Sequence, residues 1–474
     1  MLDYYQINTL LPEIIVFCSA ILLLVYGAFS KSYSFVNVNF LTIFILSLAA
    51  ISLFFVNNDS TAFNNSFVNN KLTIHIKLFV LIISTTVVYI SSSYLKKNEL
   101  SLFEYPILLL FSILGMLVMI SSNDFIMLYI SIELQSLALY VLVALKKSSL
   151  KASEAALKYF ILGSIASAII LYGASMVYAI TGETNYDTIK VISQGLGKNM
   201  MFSLGIVLIL SGIAFKLSAA PFHMWTPDVY EGSPTSVTTV LVTLPKIAAL
   251  TVLIHLLIKP FLYQVEAWQP ILIIISILSM LIGSISALRQ ENLKRLFAYS
   301  TIANIGYVMI GLVSATDKSI ETSILYMLIY TISSLGVFSF IMLIRREDTQ
   351  LVNISNISGI SKSNPIIAFS LVILLLSMAG IPPFAGFFTK LYVFTYAIEQ
   401  GFLYLAIIAI VFSVVSAFYY LKIIKTMYLD DSNDELSSNL DKKQSLVIVI
   451  AALIMLFFVF YGDGLIKVIN NIYI

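Results

Sequence analysis

The chain has 474 residues, of which 59% are hydrophobic and only 11% charged, with a mean hydropathy of +0.96 and a formal net charge of +2. A soluble globular chain carries about 25% charged residues, so this composition excludes a soluble enzyme, a nucleic-acid binder and a disordered protein. The small net charge gives no argument for a polyanionic partner, and the single cysteine, Cys18, permits neither an internal disulfide nor a cysteine-built metal or iron–sulfur site.

The N-terminus, MLDYYQ, lacks a basic segment and carries Asp3, so it does not read as a cleavable signal peptide. The first apolar run is expected to stay as a helix. Fourteen apolar runs follow one another, at 10–29, 36–56, 74–93, 105–121, 124–145, 153–181, 201–220, 236–259, 268–288, 294–314, 320–344, 365–398, 402–429 and 444–461. A spanning helix and its connection take roughly 30 to 35 residues, which fits this number into this length. Backbone groups in lipid must be satisfied within the segment, so runs this apolar predict helices; barrel strands would alternate. The expected fold class is an all-α membrane protein, a single polytopic domain over 1–474.

Lys and Arg in the connections set the orientation. The connections after odd-numbered runs hold sixteen, among them Lys96, Lys97, Lys146, Lys147, Arg289, Lys294, Arg295 and Lys442. The even connections and the termini hold six, Lys71, Lys190, Lys198, Lys259, Lys318 and Lys467. Basic loops stay inside, so both termini are expected on the outer side and the long polar loop at about 430–443 in the cytoplasm.

Five basic residues remain within the runs, Lys77, Lys158, Lys216, Lys246 and Lys390, and of the acidic residues only Glu133 sits deep in one. A charge at a helix centre costs roughly 2.5 to 3.5 kcal/mol on insertion scales, so the deep ones must face protein or water. Lys77 is three residues into its run and reads as a snorkelling side chain. Lys158 follows Glu154 by one turn, and an i,i+4 pair at a helix entrance accounts for it. Glu133 shares one face with Tyr129, Ser136 and Tyr140, a polar stripe that is unsuited to lipid. Lys246 shares a face with Ser236, Thr239 and Thr243, and Pro245 beside it frees a carbonyl one turn back, which suggests a hydrated site. His255, nine residues on, points away and reads as a packed side chain.

Lys216 precedes AAPFHMWTP, where Pro221 and Pro227 predict a discontinuous helix. His223, just past the break, reads equally as a relay group or as a loop residue. Lys390 lies in 365–398, which at 1.5 Å per residue would span about 50 Å against a core of about 30 Å. Gly380, Pro382 and Pro383 therefore predict a second break, with Lys390 in the second half. The two junctions, Ala-Pro-Phe and Pro-Pro-Phe, echo each other and point to an internal repeat. Desolvation lowers the proton affinity of a lysine and a nearby carboxylate restores it. A row of Glu133, Lys216, Lys246 and Lys390 can therefore pass a proton as pairings shift. No GxxxxGK[ST], GxGxxG, HExxH or CxxC is present, so the energy source is expected to be a gradient or a partner.

These residues lie in stretches that resemble the antiporter-like membrane subunits of respiratory complex I. The matching segments are IELQSLALYVLVAL, EAALKYFILGS, FKLSAAPFHMWTPDVYEGSPTSVTTVLVTLPKIA, NLKRLFAYSTIANIGYVMIGL and GIPPFAGFFTKLYVF. The resemblance is strong over about 105–430, and a Lys at 390 separates this chain from sister branches that carry Glu there. It implies inverted repeats of helices 4–8 (105–259) and 9–13 (268–429) with helices 7 and 12 broken, preceded by three helices in 1–104 and followed by one in 444–474. It implies a Glu–Lys pair of Glu133 and Lys216, a central carrier at Lys246, an exit-side carrier at Lys390 and a modulating role for Lys158.

The function implied is proton translocation in a bacterial inner membrane. NADH, FMN, iron–sulfur clusters and quinone would be held by partner subunits and no cofactor by this chain. Partners would be the other membrane and peripheral subunits of complex I, including sister antiporter-like subunits, and the lipid bilayer, with no nucleic acid. Two other readings use the same residues. A cation/proton antiporter subunit of Mrp type would work without redox partners. A membrane spacer would use the charges only to hold helices together.

Overall fold

A computed structural model describes residues 4–30, 34–346, 349–430 and 441–473. In chain order the helices are α1 Tyr4–Thr9, α2 Leu11–Phe29, α3 Ser34–Ser52, α4 Lys71–Lys97, α5 Glu104–Ile120, α6 Phe125–Val143, α7 Leu150–Thr181, α8 Tyr186–Gly195, α9 Met200–Leu217 and α10 Trp225–Gly232. They continue as α11 Thr235–Ile258, α12 Val265–Leu288, α13 Leu293–Val313, α14 Asp317–Leu343, α15 Ile360–Ser363, α16 Pro365–Ala379, α17 Ala385–Glu399, α18 Leu403–Tyr428, α19 Lys442–Leu456 and α20 Phe458–Tyr473. Among the described residues eleven helices are long and apolar enough to cross a membrane, or twelve if α19 and the bent start of α20 form one span. Two further apolar helices, α5 and α16, are shorter. The chain is a multi-pass membrane protein.

Both expected breaks are present. The run 201–220 stops at Leu217 and resumes as α10, and the run 365–398 divides into α16 and α17. The last run, expected as one helix, bends by 66° between Leu456 and Phe458. Lys31 and most of the expected cytoplasmic loop, 431–440, lie outside the described residues. The sequence reading lacked the short hairpin of β1 (Ser60–Ala62) and β2 (Phe67–Asn69) and the amphipathic α8, which occupy polar connections.

The chain divides into two compact units. One takes 1–92, 99–217 and 244–271; the other takes 93–98, 218–243 and 272–474. In the first unit Asp124 N-caps α6 by accepting from the Ile126 and Met127 amides, which fixes where the Glu133 helix begins. α7 and α9 pack through small residues: a Cβ on Gly173 would meet the Gly205 carbonyl at 2.7 Å. Such close backbone approach is how helices associate where lipid removes the hydrophobic drive.

Loops at the same end of this unit form a polar belt. The Val68 amide donates to Ser121 O (2.9 Å), and Asn123 Nδ2 donates to Asp187 Oδ2 (2.8 Å). Lys259 Nζ donates to Asn123 Oδ1 (2.6 Å) and lies 3.5 Å from Asp187. Burial pushes the Asp187 carboxyl up, but Asn123, Lys259 and Asn65 outweigh it and hold it below its ordinary 3.8. Its contribution is therefore complete at neutral pH and is lost as pH falls through that lowered value. Being half-exposed, it contributes little.

Lys77 does not snorkel. Its side chain is 0% exposed, and Nζ sits 2.7 Å from Glu13 Oε1 and 2.7 Å from Asn69 Oδ1, over the Phe67 ring. Asn69 Nδ2 in turn donates to Thr9 O (2.8 Å). The pair ties α2 to α4 and the hairpin. In the second unit α13 and α14 are buried over nearly their whole length, and α14 packs on α16, α17 and α19. Lys294, expected in a connection, is buried with Nζ donating to Ser233 O (2.7 Å). Beside it Arg295 pairs with Asp228 (2.7 Å) and Glu231 (3.2 Å).

Removing one member of a buried ion pair strands the other charge and costs about 3 to 5 kcal/mol, whereas replacing both by apolar groups is close to neutral. Glu13→Gln or Lys77→Met alone should therefore lower the unfolding temperature of the solubilised protein clearly, and the Glu13→Leu, Lys77→Met double variant should recover most of it. A double variant as unstable as the worse single would contradict the pairing.

Candidate functional site

α6 is two-faced. Ile126, Ile130, Leu137 and Val141 are exposed, while Ser136 and Tyr140 are buried and Tyr129 and Glu133 half-buried. The polar stripe expected from the 4-3-4 spacing therefore faces inward. Tyr140 packs edge-on against Tyr159 of α7, with ring centroids 4.7 Å apart.

Lys216 is the penultimate residue of α9 and is buried. Its ammonium does not meet Glu133. Nζ donates to Ser136 Oγ (2.8 Å), one turn along α6 from Glu133. Among the described residues no cation lies within ion-pair distance of Glu133, although its charge reaches Lys216. Sequence spacing paired Glu133 with Lys216; the structure interposes a serine.

Lys246, 0% exposed, donates from Nζ to the backbone carbonyl of Lys216 (3.0 Å). A helix leaves its last four carbonyls without intrahelical partners and carries partial negative charge there. The break after Leu217 places such an end inside the protein, and Lys246 satisfies it. Beyond the break Ser218 adopts a left-handed φ of +64° and the Ala220 amide donates to Ser279 Oγ (2.8 Å).

The polar face expected on α11 behaves differently from the expectation. Thr239 and Thr243 spend their hydroxyls on carbonyls of their own helix, Thr235 O (2.8 Å) and Thr239 O (2.6 Å). The carbonyl freed by Pro245 belongs to Leu241, and the Tyr230 hydroxyl donates to it (3.3 Å). A protein donor takes the place proposed for water.

Lys390 repeats the Lys246 arrangement in the second unit. It is buried, and Nζ donates to the carbonyl of Ala379 (2.9 Å), the last residue of α16, and to Ser413 Oγ (3.0 Å). It lies 5.0 Å from the centroid of the Tyr307 ring, a cation–π contact. Gly380 makes this possible. It ends α16 at φ +83°, and a Cβ there would sit 2.8 Å from Lys390 Cδ.

Lys158 stands apart from these groups. It pairs with Glu154 at 2.7 Å on the outer face of α7, the two side chains being 42% and 64% exposed. His255 is buried with Nε2 unbonded, and His223 Nδ1 is likewise buried and unbonded, among the described residues. The buried pair Glu13–Lys77 was missed because depth along the chain was read as distance from water. Glu13, third in α2, was the available signal.

Alanine at Gly380 would suffer the left-handed backbone, a cost of about 1 to 2 kcal/mol, and would displace the Lys390 ammonium from Ala379 O. Gly380→Ala is expected to lower the unfolding temperature; a variant that unfolds at the native temperature would show that Lys390 does not need this seat.

Residues 122–416 match the family described as NADH:quinone oxidoreductase/Mrp antiporter, TM. NADH-quinone oxidoreductase subunit N of Pelagibacter ubique (strain HTCC1062) is 44% identical over 98% of this chain and 99% of its own length. Subunit N 1 of Rhizobium meliloti (strain 1021) is 42% identical over 96% and 95%. A chain of respiratory complex I from Thermus thermophilus superposes with a TM-score of 0.82 at 28% identity, covering 96% of this chain and 98% of that one. A chain of the Mrp complex from Dietzia sp. DQ12-45-1b, at 17% identity and a TM-score of 0.84 over 99% and 98%, shares the fold. The chain belongs to the NADH:quinone oxidoreductase/Mrp antiporter membrane family and, within it, to the family of NADH-quinone oxidoreductase subunit N.

Proposed function

We propose that the chain is a proton-translocating membrane-arm subunit of an NADH:quinone oxidoreductase, driven by electron transfer in partner subunits that hold NADH, flavin, iron–sulfur clusters and quinone. The observation that carries this reading is the way the lysines are held. Lys216 and Lys390 are buried, and among the described residues neither has a carboxylate within ion-pair distance; hydroxyls and carbonyls hold them instead. A buried charge serving only as structural glue is normally paired, as Lys77 is with Glu13. An ammonium held by neutral oxygens has no counter-charge to fix its proton.

The cycle follows from the geometry. Ser136 and Glu133 lie one turn apart on α6, so the Lys216 ammonium can swing from the hydroxyl to the carboxylate. With the pair closed, Glu133 holds the proton on Lys216. With it open, Lys216 faces Lys246, whose Nζ is anchored on the Lys216 carbonyl. Two ammonium groups so close repel, so a proton on one favours its loss from the other. Lys390 takes the corresponding part at the second helix break. Lys158, on the outer face of α7, modulates the cycle rather than carrying the proton.

The same reading gives fourteen spans, by adding α5 and the broken pair α16–α17 to the twelve. It gives two inverted five-helix repeats, a bacterial inner-membrane location, both termini outside, and no redox centre in this chain. The partners are sister antiporter-like subunits and the remaining membrane and peripheral subunits. The Mrp-type alternative would appear as sodium-dependent proton flux without redox partners.

Lys216→Met in the complete complex, reconstituted in vesicles, should abolish NADH-driven proton uptake, whereas Lys216→Arg should assemble and retain a reduced flux. Pumping by Lys216→Met at the native rate would remove Lys216 from the path.

A further inference from the structure

Lys390 heads a second set of polar groups that the cycle above does not use. α18 carries Ser413, Ser416 and Tyr420, and α13 carries Ser300, Asn304 and Tyr307, each set at the spacing of one helix face. The two stripes meet. Lys390 Nζ donates to Ser413 Oγ, and one turn on, Ser416 Oγ lies 2.9 Å from Ser284 Oγ and 3.3 Å from the Tyr307 hydroxyl. A further turn along α18, the Tyr420 hydroxyl and Ser300 Oγ are 2.6 Å apart. Asn304 braces this rung: Nδ2 donates to Ser300 O (2.8 Å) and Oδ1 accepts from the Tyr326 hydroxyl (2.8 Å).

A serine in a helix ordinarily bonds a carbonyl of its own previous turn, as Ser47, Ser84 and Ser211 do here. Ser284, Ser300 and Ser416 bond side chains across helices instead, and all are buried. The rungs are separated by one helical turn, about 5.4 Å, a gap one water can bridge. Tyr419, next to the gap, has a buried hydroxyl with no hydrogen bond among the described residues, which such a water would satisfy.

The ladder ends at a ring. Phe297, buried one turn before Ser300, has its centroid 6.4 Å from that of Tyr420 and 6.0 Å from that of Phe338. On its far side, at the Leu293 end of α13, stand Lys294 and the partly exposed Arg295, Asp228 and Glu231. From Leu293 to Tyr307 is about 21 Å along the helix, some two thirds of a hydrocarbon core of about 30 Å.

We propose that this ladder is the proton path between Lys390 and the charged cluster at the Leu293 end of α13, and that Phe297 is its gate. The inference rests on reading Lys390 as a proton carrier. In each transfer a hydroxyl oxygen accepts a proton from one neighbour and releases its own to the next. The Ser300–Tyr420, Ser416–Tyr307 and Ser413 rungs stay neutral overall, and the proton arrives on the Lys390 amine to form the ammonium. Asn304 does not carry the proton; it holds Tyr420 and Tyr326 in register. Phe297 interrupts the chain at rest, which prevents a passive leak.

The test uses the complete complex in sealed vesicles. Ser416→Ala with Tyr420→Phe should slow NADH-driven proton uptake on the order of tenfold or more, as loss of a positioned proton-transfer group does, and should enlarge the H2O/D2O rate ratio. Phe297→Ala should do the opposite, making vesicles leak protons without NADH, and the leak should vanish when Ser416→Ala and Tyr420→Phe are added. Native uptake and isotope ratio in the double variant, or a Phe297→Ala leak that survives it, would overturn the path. Lys390→Met separates the two ideas: if it blocks uptake while the ladder variants do not, only the ladder fails; if it leaves uptake intact, the carrier reading itself fails.

Discussion

Two helices stop inside an apolar protein, and each stop exposes carbonyls that nothing in their own helix can satisfy. The Lys246 ammonium takes the Lys216 carbonyl, and the Lys390 ammonium takes the Ala379 carbonyl. The dependence is mutual. Without the lysines the breaks would bury unsatisfied acceptors, each costing roughly 1 to 3 kcal/mol. Without the breaks the ammonium groups would have no partial negative charge to sit on. Gly380 at the second break and the left-handed Ser218 at the first are the local backbone features that let each helix end.

This arrangement leaves the charge mobile. A carboxylate contact would fix it, as Glu13 fixes Lys77 at 2.7 Å in surroundings that leave the lysine 0% exposed. Hydroxyls and carbonyls neutralise less, so Lys216 on Ser136 and Lys390 on Ser413 remain responsive to neighbouring charge. The chain thus contains both regimes, a buried ion pair that ties helices together and buried lysines that hydrogen bonds merely position. Tyr230 on the Leu241 carbonyl shows the same economy: a proline-freed acceptor is satisfied by protein rather than by solvent.

Much of this was legible in the sequence because the membrane simplifies the problem. Lipid forces every apolar run into a helix, and an apolar stretch of 365–398 is too long for one span, so Gly380, Pro382 and Pro383 had to mark a break. Glu133, Ser136 and Tyr140 share a face by spacing alone, and that face is the inward one. What spacing could not supply was depth and partner. Lys77, Lys294 and Glu13 lie near helix ends, where snorkelling is the ordinary outcome, yet loops and the hairpin fold over Lys77 and bury it. Thr239 and Thr243 looked like a site lining but bond their own backbone. The serine between Glu133 and Lys216 was on the page as part of the stripe, but only coordinates could show which of two neighbours the ammonium takes.

The account's central claim is that the buried lysines gain and lose protons during turnover. Nitrogen-15 spectra of side-chain-labelled lysines in the reconstituted complex, assigned by single Lys→Arg replacements, measure this directly. The resonances of Lys216, Lys246 and Lys390 should move between amine and ammonium positions when NADH and quinone are supplied, while that of Lys77 stays at the ammonium position. Ammonium signals for all four that do not change on turnover would contradict the account.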